Sequence, residues 1–318
     1  MGKKNNFDND SLIYIAQLYY LEDKSQAEIA KIVGVSRPQV SKLLRKARES
    51  GIVTITVSNV SSRLAHYESI LCQRYLLHCC KIVPECASPF ETERSITHCA
   101  LDLLNELFSE AKTIGIGWGA ILNSICDLGS IKDTTEENSS VVPLIGSLNA
   151  TDNGYNTNEL VRKFGLILGM APKYLYAPAF PQYQEEQAQF KETHNYRQIS
   201  SLWDKLDASV FSINAYPDVP DLATSFRYGE ELSINKAVGA VLSNFYNIHG
   251  QLISGERDYN ISISQEQFMH TPIRIGIGAN TTTPQSVIGA LRTGAVTHLI
   301  LPENMACEVL HLSGIVAL

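Results

Sequence analysis

Apolar positions in the first part of the chain recur at the spacing of short amphipathic helices. They fill residues 11–21 and 29–33, and the pattern then resumes at Val40, Leu43, Leu44 and Ala47. Such i, i+3, i+4 spacing places these side chains on one face of a helix. The segment from Ser25 to Glu28 has the residues of a capping box, and Ser36, followed by a proline two residues later, marks a further helix start. The pattern predicts three consecutive short helices.

The second and third predicted helices are joined by a turn that contains Gly34. Glycine permits the turn and the small Ala30 lets the two helices cross closely, which is typical of a helix-turn-helix; a generic helical hairpin is the alternative. Polar and basic residues on the outer side of the third helix predict contact with double-stranded operator DNA: Ser36, Arg37, Gln39, Ser41, Lys42, Arg45 and Lys46. Residues 52–57 alternate as a short strand does, a candidate wing, and residues 58–62 (SNVSS) predict a linker.

Beyond this linker, short apolar runs alternate with stretches of helical periodicity. Predicted strands cover residues 81–83, 113–116, 141–145, 208–213, 273–277 and 298–301. Predicted helices cover residues 64–77, 91–111, 158–168, 236–248, 285–292 and 304–312. Such alternation predicts an α/β fold with a mostly parallel sheet that is covered on both faces. We expect two domains, residues 1–58 and 59–318.

Charge is distributed unevenly along the chain. Residues 1–60 hold nine basic and six acidic residues, although the whole protein has a formal net charge of −7. From Lys31 to Arg48 there are six basic residues and no acidic one. A charge cluster alone is usually a solvated face, but a basic patch on an acidic protein also indicates contact with phosphates. The charge therefore supports the DNA-binding prediction for the third helix.

Motifs for other functions are missing from the sequence. The seven cysteines form no CxxC pair, and the chain has neither an apolar signal core near its N-terminus nor an uninterrupted apolar stretch of membrane-spanning length. No HxxxH, HExxH, GxSxG or GxxxxGK[ST] motif is present. We therefore expect a cytoplasmic protein with reduced thiols and no membrane partner, cofactor, metal site or catalytic residue.

Two predicted strands end in glycine-bearing turns that lead into helices. These are residues 113–122 (TIGIGWGAIL) and residues 273–284 (IRIGIGANTTTP). Backbone amides at such helix starts can approach a ligand, and ligands of open α/β sheets bind outside the carboxyl ends of the strands. Tight turns also need glycine without any ligand, so both interpretations stay open. Trp118 is equally compatible with stacking on a ligand and with packing in the core.

Six segments carry a resemblance to a known family: residues 14–57, TIGIGWGAIL, VVPLIGSL, ISSLWDKLDASVFSI, AVGAVLSNFYNIHG and GALRTGAVTHLIL. Together they resemble the SorC/DeoR-type family of bacterial sugar-responsive transcriptional regulators, and in particular its sorbose-operon regulator branch. The resemblance implies a winged helix-turn-helix, a Rossmann-like effector domain, a homo-oligomer that is typically a tetramer, and operator affinity that changes with a sugar or sugar phosphate. It implies effector contacts from Gly117, Trp118, Gly119, Ser147, Asn149, Gly278, Asn280, Thr281 and Thr283.

Some positions depart from the pattern of this family. Thr281 and Thr283 stand where many members have lysines, and Ala240 stands where many have an acidic residue. Residues 208–218 (ASVFSINAYPD) lack the glycine-rich strand end that is common in the family. These changes leave the fold prediction intact and the effector open, with a sugar alcohol as a further candidate. A sugar-phosphate isomerase- or deaminase-like enzyme is the alternative, although such an enzyme has no need of a helix-turn-helix.

Overall fold

The structure is a computed structural model that describes residues 9–314 except 21, 23, 51, 54–57, 109, 133–137, 149–155 and 218–226. The chain divides into two compact units, Met1–Asn59 and Val60–Leu318. All seven cysteines are free thiols. Burial raises the pKa of Cys99 to about 11 and that of Cys126 to about 12, so these two thiols are protonated at neutral pH.

The first unit contains three packed helices, as the apolar spacing predicts. They are α1 (Asn9–Tyr20), α2 (Gln26–Val33) and α3 (Arg37–Glu49). Their buried side chains form one cluster made of Leu12, Ile15, Ala16, Leu18, Ile29, Val40, Leu43, Leu44 and Ala47. Because α3 contributes its apolar stripe to this cluster, its polar side faces away from the core.

The predicted signals at the two ends of α2 are confirmed. Ser25 Oγ accepts a hydrogen bond from the Glu28 N–H at 3.3 Å, and Glu28 Oε2 accepts one from the Ser25 N–H at 2.9 Å. Gly34 ends α2 with a φ of 71°, and its N–H donates to the carbonyl of Ala30. Glycine adopts this left-handed conformation without steric cost, which allows the chain to turn sharply into α3.

Two predictions at the end of the first unit have different outcomes. Ile52 and Val53 lie in no strand, and residues 54–57 are outside the described residues, so the wing stays a prediction. The linker predicted at residues 58–62 is wrong, because helix α4 (Ser58–Tyr75) begins there. The SNVSS run contains no proline or glycine, and serine and asparagine are favoured at helix starts, so its polarity does not indicate a break.

The described residues of the second unit form a ten-stranded sheet and its covering helices. The strands are β1 (Cys79–Val83), β2 (Thr113–Ile116), β3 (Ser140–Pro143), β4 (Ala171–Pro172), β5 (Ala208–Ala215), β6 (Ala237–Val241), β7 (Asn244–Asn247), β8 (Leu252–Ile253), β9 (Ile273–Ile277) and β10 (His298–Pro302). The helices after α4 are α5 (Pro89–Leu107), α6 (Ala120–Leu128), α7 (Thr157–Leu168), α8 (Gln184–Glu192), α9 (His194–Trp203), α10 (Glu231–Ile234), α11 (Gln265–His270), α12 (Pro284–Arg292) and α13 (Glu303–Leu312).

Seven of these strands form a parallel sheet in the order β1-β10-β9-β5-β2-β3-β4. Every residue of β2, β5 and β10 is buried, as expected for parallel strands that are covered on both faces. The predicted mostly parallel α/β sheet is therefore confirmed. Because β5 lies between β9 and β2, the loops that follow β2 and β9 flank the carboxyl end of β5.

The helix predicted at residues 236–248 is wrong. This segment forms the antiparallel strands β6 and β7, and β6 also pairs antiparallel with the end of β5. Leu242 and Ser243 make the two-residue turn between them, because Val241 pairs with Asn244. The two strands are only five and four residues long, and apolar runs this short do not distinguish helix from strand. The pairing with β5 requires a residue without a side chain at position 239, since a Cβ on Gly239 would lie 2.6 Å from the carbonyl oxygen of Asn214.

Candidate functional site

The outer side of α3 is polar and open to solvent. Of the seven residues predicted to contact DNA, Gln39 is half-buried and the other six are exposed: Ser36, Arg37, Ser41, Lys42, Arg45 and Lys46. Val40 and Leu44 of the same helix are buried in the three-helix core. The helix thus presents its basic side chains on the face opposite its apolar stripe, where the phosphates of a duplex are accessible to them.

The turn between β2 and α6 is packed tightly against β5. The Gly117 N–H donates to the Val210 carbonyl at 2.9 Å, and Ser212 Oγ donates to the Trp118 carbonyl at 2.6 Å. Gly119 has a φ of 138°, and a Cβ at this position would lie only 2.2 Å from Ser212 Oγ. Glycine is therefore required at position 119 by both backbone conformation and space.

The Trp118 side chain belongs to the core. The residue is 2% exposed, and its ring lies 5.8 Å from that of Phe180, centroid to centroid. The Arg227 guanidinium covers the Phe180 ring at 3.7 Å and donates to Asp258 Oδ1 at 2.7 Å. Tyr228 Oη donates to Asp258 Oδ2 at 2.7 Å, and burial, together with the charge of Asp258, raises the pKa of Tyr228. Of the two interpretations of Trp118, the structure shows packing, with a buried ion pair behind Phe180.

The loop after β9 contains residues that hold the local structure and residues that are exposed to solvent. Gly278 is buried, whereas Asn280 and Thr281 are exposed. Thr283 caps α12, because its hydroxyl accepts a hydrogen bond from the Ser286 N–H at 3.2 Å. Thr283 is therefore occupied by the helix cap, and Asn280 and Thr281 are the predicted residues of this loop that are accessible to a ligand.

A cleft separates the loop after β9 from the start of α6. It is lined by Glu93, Ala120, Ile121, Ser212, Ile277, Ala279, Asn280 and Thr281, and its volume is about 30 Å³, which is enough for water but not for a sugar. Glu93, from α5, closes this cleft. Its carboxylate accepts hydrogen bonds from Asn280 Nδ2 and, at 3.2 Å, from Ser124 Oγ. A ligand of sugar size requires the contact between Glu93 and Asn280 to open.

The turn that carries Ser147 and Asn149, the other effector contacts that the resemblance implies, contributes no described residue to the cleft. Ser147 shares a hydrogen bond of 3.0 Å with Thr157 Oγ1, and its N–H donates to the Ala177 carbonyl at 3.1 Å. Asn149 is outside the described residues. Sequence reasoning missed Glu93 and Ser212, which line the cleft, because neither stands in a glycine-bearing turn.

A larger groove of about 580 Å³ lies at the opposite end of the strands. It is lined by Trp203, Asp204, Leu206, Ser264, Glu266, Gln267, His270 and Thr271. Leu206 and Thr271 precede β5 and β9, so this groove is at the amino ends of the strands. Gln267 Nε2 already donates to Asp204 Oδ1 at 2.7 Å. Ligands of open α/β sheets bind at the carboxyl ends, which makes the smaller cleft the candidate site despite its size.

Two further observations concern metals and membranes. Within the described ranges, no group of three or more histidine, cysteine, aspartate or glutamate side chains is placed to hold a metal ion. None of the helices in the described part of the chain has the length and hydropathy of a membrane span.

Two family models match the chain. Sugar-bind, a sugar-binding domain, matches residues 60–311 and so covers most of the second unit. Sigma-70 region 4 matches residues 15–50, which include α2 and α3. The boundaries of the two matches follow the division of the chain into two compact units.

Whole-length relatives are bacterial regulators. The sorbitol operon regulator of Klebsiella pneumoniae is 27% identical over 313 residues, which cover 95% of this chain and 98% of that protein. The deoxyribonucleoside regulator of Bacillus subtilis (strain 168) is 26% identical over 305 residues, or 92% of this chain and 95% of that one. The crystal structure of the full-length Klebsiella regulator has a TM-score of 0.71 at 25% identity and covers 94% of this chain and 98% of its own. The chain belongs to the sugar-binding family of SorC/DeoR-type transcriptional regulators.

Proposed function

We propose that this protein is a DNA-binding transcriptional regulator of a carbohydrate-utilisation operon. Its first unit binds operator DNA, and its second unit binds a sugar, sugar alcohol or sugar-phosphate effector that changes the affinity for DNA. The names of the two whole-length relatives, a sorbitol operon regulator and a deoxyribonucleoside regulator, support this function over that of a sugar-phosphate enzyme.

The observation that carries the proposal is the division of α3 into two sides. Its apolar stripe is buried, and six of the seven predicted DNA-contacting residues are exposed on a chain whose net charge is −7. The basic side chains of α3 attract the phosphates of DNA, whereas the net negative charge of the rest of the chain does not. The turn at Gly34 sets α3 against α2 as in other helix-turn-helix units.

Within α3, the position of each residue suggests its role. The N-terminal turns of a recognition helix enter the major groove, and its far end lies near the phosphate backbone. Arg37, Gln39, Ser41 and Lys42 are therefore assigned to base edges, and Lys46 to phosphates together with Arg48. Ser36 and Arg45 complete the interface.

The effector is assigned to the cleft at the carboxyl end of β5. Asn280 and Thr281 line it, and Gly117, Trp118, Gly119, Gly278 and Thr283 hold its walls in place. Ser147 and Asn149 remain candidates that the resemblance implies. The position of the cleft at a crossover between parallel strands agrees with the Rossmann-like description of the second unit.

We further propose a cytoplasmic homo-oligomer, with a tetramer as the form that the family resemblance implies. One helix-turn-helix makes few contacts, whereas a two-fold dimer reads two half-sites about 34 Å apart, or multiples of that spacing. The acidic second unit adds no attraction for DNA. The additional affinity must therefore come from an oligomer that binds DNA through several copies of the first unit at once. Light scattering tests this part, and a monomer at micromolar concentration with and without operator would contradict it.

A thermal-shift screen of the full chain against sugars, sugar alcohols and their phosphates tests the effector assignment. At least one compound is expected to raise the melting temperature, and Thr281→Val is expected to reduce that rise. Lys205→Ala, an exposed substitution outside the cleft, serves as the matched control. A rise that persists unchanged in Thr281→Val would place the effector elsewhere.

A further inference from the structure

One buried side chain beside the cleft has an unused hydrogen-bond donor. Asn214, near the end of β5, is 1% exposed. Its Oδ1 lies 3.3 Å from Ser212 Oγ and accepts a hydrogen bond from Thr281 Oγ1 at 3.5 Å, and both of these residues line the cleft. Its Nδ2 finds no acceptor among the residues that the structure describes. A buried donor without an acceptor is unfavourable, so Asn214 favours a ligand that offers an oxygen at this point.

The opposite wall of the cleft carries a carboxylate. Glu93 is the charged side chain among the eight described residues that line the cleft, and neither lysine, arginine nor histidine is among them. Its oxygens already accept hydrogen bonds from Asn280 and Ser124. Carboxylates are acceptors with about four lone-pair sites in total, so Glu93 has capacity for further donors.

Together these groups select for hydroxyls. A hydroxyl both donates and accepts, so a polyol can accept from Asn214 Nδ2 and donate to Glu93. A phosphate offers acceptors and a negative charge that the Glu93 carboxylate repels. The start of α6 favours an anion, but a helix N-terminus carries only about half an elementary charge, and Glu93 carries a whole one.

We propose that Glu93 and Asn214 determine effector specificity, so that the cleft binds an unphosphorylated polyol and excludes the phosphate of a phosphorylated sugar. Hydroxyls of the bound polyol replace Asn280 as the donor to Glu93, which opens the cleft. This inference rests on the proposed effector site and adds the chemical class of its ligand.

Calorimetry of the full chain with matched pairs tests the proposal. The pairs are sorbitol and sorbitol 6-phosphate, sorbose and sorbose 1-phosphate, fructose and fructose 6-phosphate, and ribose and ribose 5-phosphate. We expect the tightest ligand to be neutral and to bind about tenfold more tightly than its phosphate. Glu93→Gln is expected to reduce that ratio about tenfold, and Asn214→Ala to weaken the neutral ligand about tenfold.

Asp102→Asn is the matched control, because Asp102 is an exposed carboxylate on the same helix, α5. It should leave both affinities unchanged, and circular dichroism confirms that each variant is folded. If Asn214→Ala does not fold, the test rests on Glu93→Gln, through its ratio of affinities for the neutral ligand and for the phosphate. A phosphate that binds more tightly than its neutral partner, or a ratio that Glu93→Gln leaves unchanged, would overturn the inference.

The same titrations separate this inference from the proposed function. A phosphate that binds in preference to the neutral sugar and changes operator affinity would leave the proposed function standing and remove the inference. Binding by no member of any pair, with operator affinity unchanged throughout, would contradict both.

Discussion

The hydroxyl of Ser212 occupies the space that a Cβ on Gly119 would need, since the two positions are 2.2 Å apart. The same hydroxyl donates to the carbonyl of Trp118 at 2.6 Å. A strand residue and the adjoining loop are thereby fixed to each other. The start of α6, which forms one side of the cleft, therefore has a defined position relative to the sheet.

Gly119→Ala is expected to destabilise the second unit through this contact. An alanine at a φ of 138° costs about 1–3 kcal/mol in backbone strain, and the overlap with Ser212 adds to it. Urea unfolding followed by tryptophan fluorescence measures the effect, because Trp118 and Trp203 both lie in this unit. Gly314→Ala is the control: its φ is 75°, and nothing lies within 4 Å of the added Cβ. Equal losses in the two variants would show that the contact with Ser212 is unimportant.

Asp258→Ala is expected to lower the free energy of unfolding by up to about 3–5 kcal/mol, since it removes the carboxylate that pairs with the buried Arg227 guanidinium and accepts a hydrogen bond from the Tyr228 hydroxyl. The Arg227 side chain is 2% exposed. The exposed ion pair between Arg197 and Glu192 provides the comparison, and Glu192→Ala should change stability by at most about 0.5 kcal/mol. Urea unfolding measures both effects. Equal losses of unfolding free energy in Asp258→Ala and Glu192→Ala would show that the pair of Arg227 and Asp258 is no more important than an exposed one.

Ser25→Ala is expected to cost α2 about 1 kcal/mol, because it removes the capping hydrogen bond to the Glu28 N–H. Hydrogen exchange of the α2 amides reports on this loss. Ser36→Ala is a matched control, since Ser36 holds the same position in α3 without a side-chain capping bond. Similar losses in both helices would contradict the role of the capping box.

The capping box of Ser25 and Glu28 also predicts that the stability of α2 depends on pH. Hydrogen bonds from the side chain and backbone of Ser25 lower the pKa of Glu28 below its ordinary value of 4.5. A lowered folded-state pKa contributes stability above the unfolded value and loses it as pH falls through the folded value. The difference in α2 exchange between the wild-type protein and Ser25→Ala should therefore shrink as the pH falls below the ordinary Glu28 value of 4.5 and through the lowered folded-state pKa.

Arg37→Ala and Lys46→Ala are expected to affect DNA binding differently. Loss of a base contact at Arg37 should cost about 1–3 kcal/mol on the preferred site and relax sequence choice. Loss of a phosphate contact at Lys46 should weaken all sequences and reduce the salt slope by about one. Anisotropy titrations on preferred and random duplexes over a range of salt distinguish the two, with Lys205→Ala as control. Equal losses on both duplexes for both variants would contradict these assignments.

Local signals were sufficient to predict the helix-turn-helix and the parallel strands. The capping box at Ser25, the turn at Gly34 and the apolar spacing of α3 each depend on neighbouring residues alone, and all three are confirmed. Strands β2 and β9 have predicted bounds that match the structure, because each is a short buried run between turns. The sequence also placed Asn280 and Thr281 in the loop that borders the cleft.

What the sequence could not show depends on contacts between distant segments. Residues 236–248 form a hairpin whose first strand pairs with the end of β5, a contact between segments that local periodicity does not show. Glu93 has the pattern of an ordinary helix residue, and only the tertiary fold brings it to Asn280. The ion pair between Arg227 and Asp258 likewise joins segments that local periodicity treats separately.

The central claim is that one chain binds operator DNA through α3 and responds to a sugar bound in the second unit. The most direct test selects a preferred duplex from a random pool, and then measures its affinity by anisotropy with and without the compound that gives the largest thermal shift. We predict a change in operator affinity of about 5–150-fold, the usual range of allosteric coupling. Failure to enrich any duplex, or an affinity that the bound compound leaves unchanged, would contradict the claim.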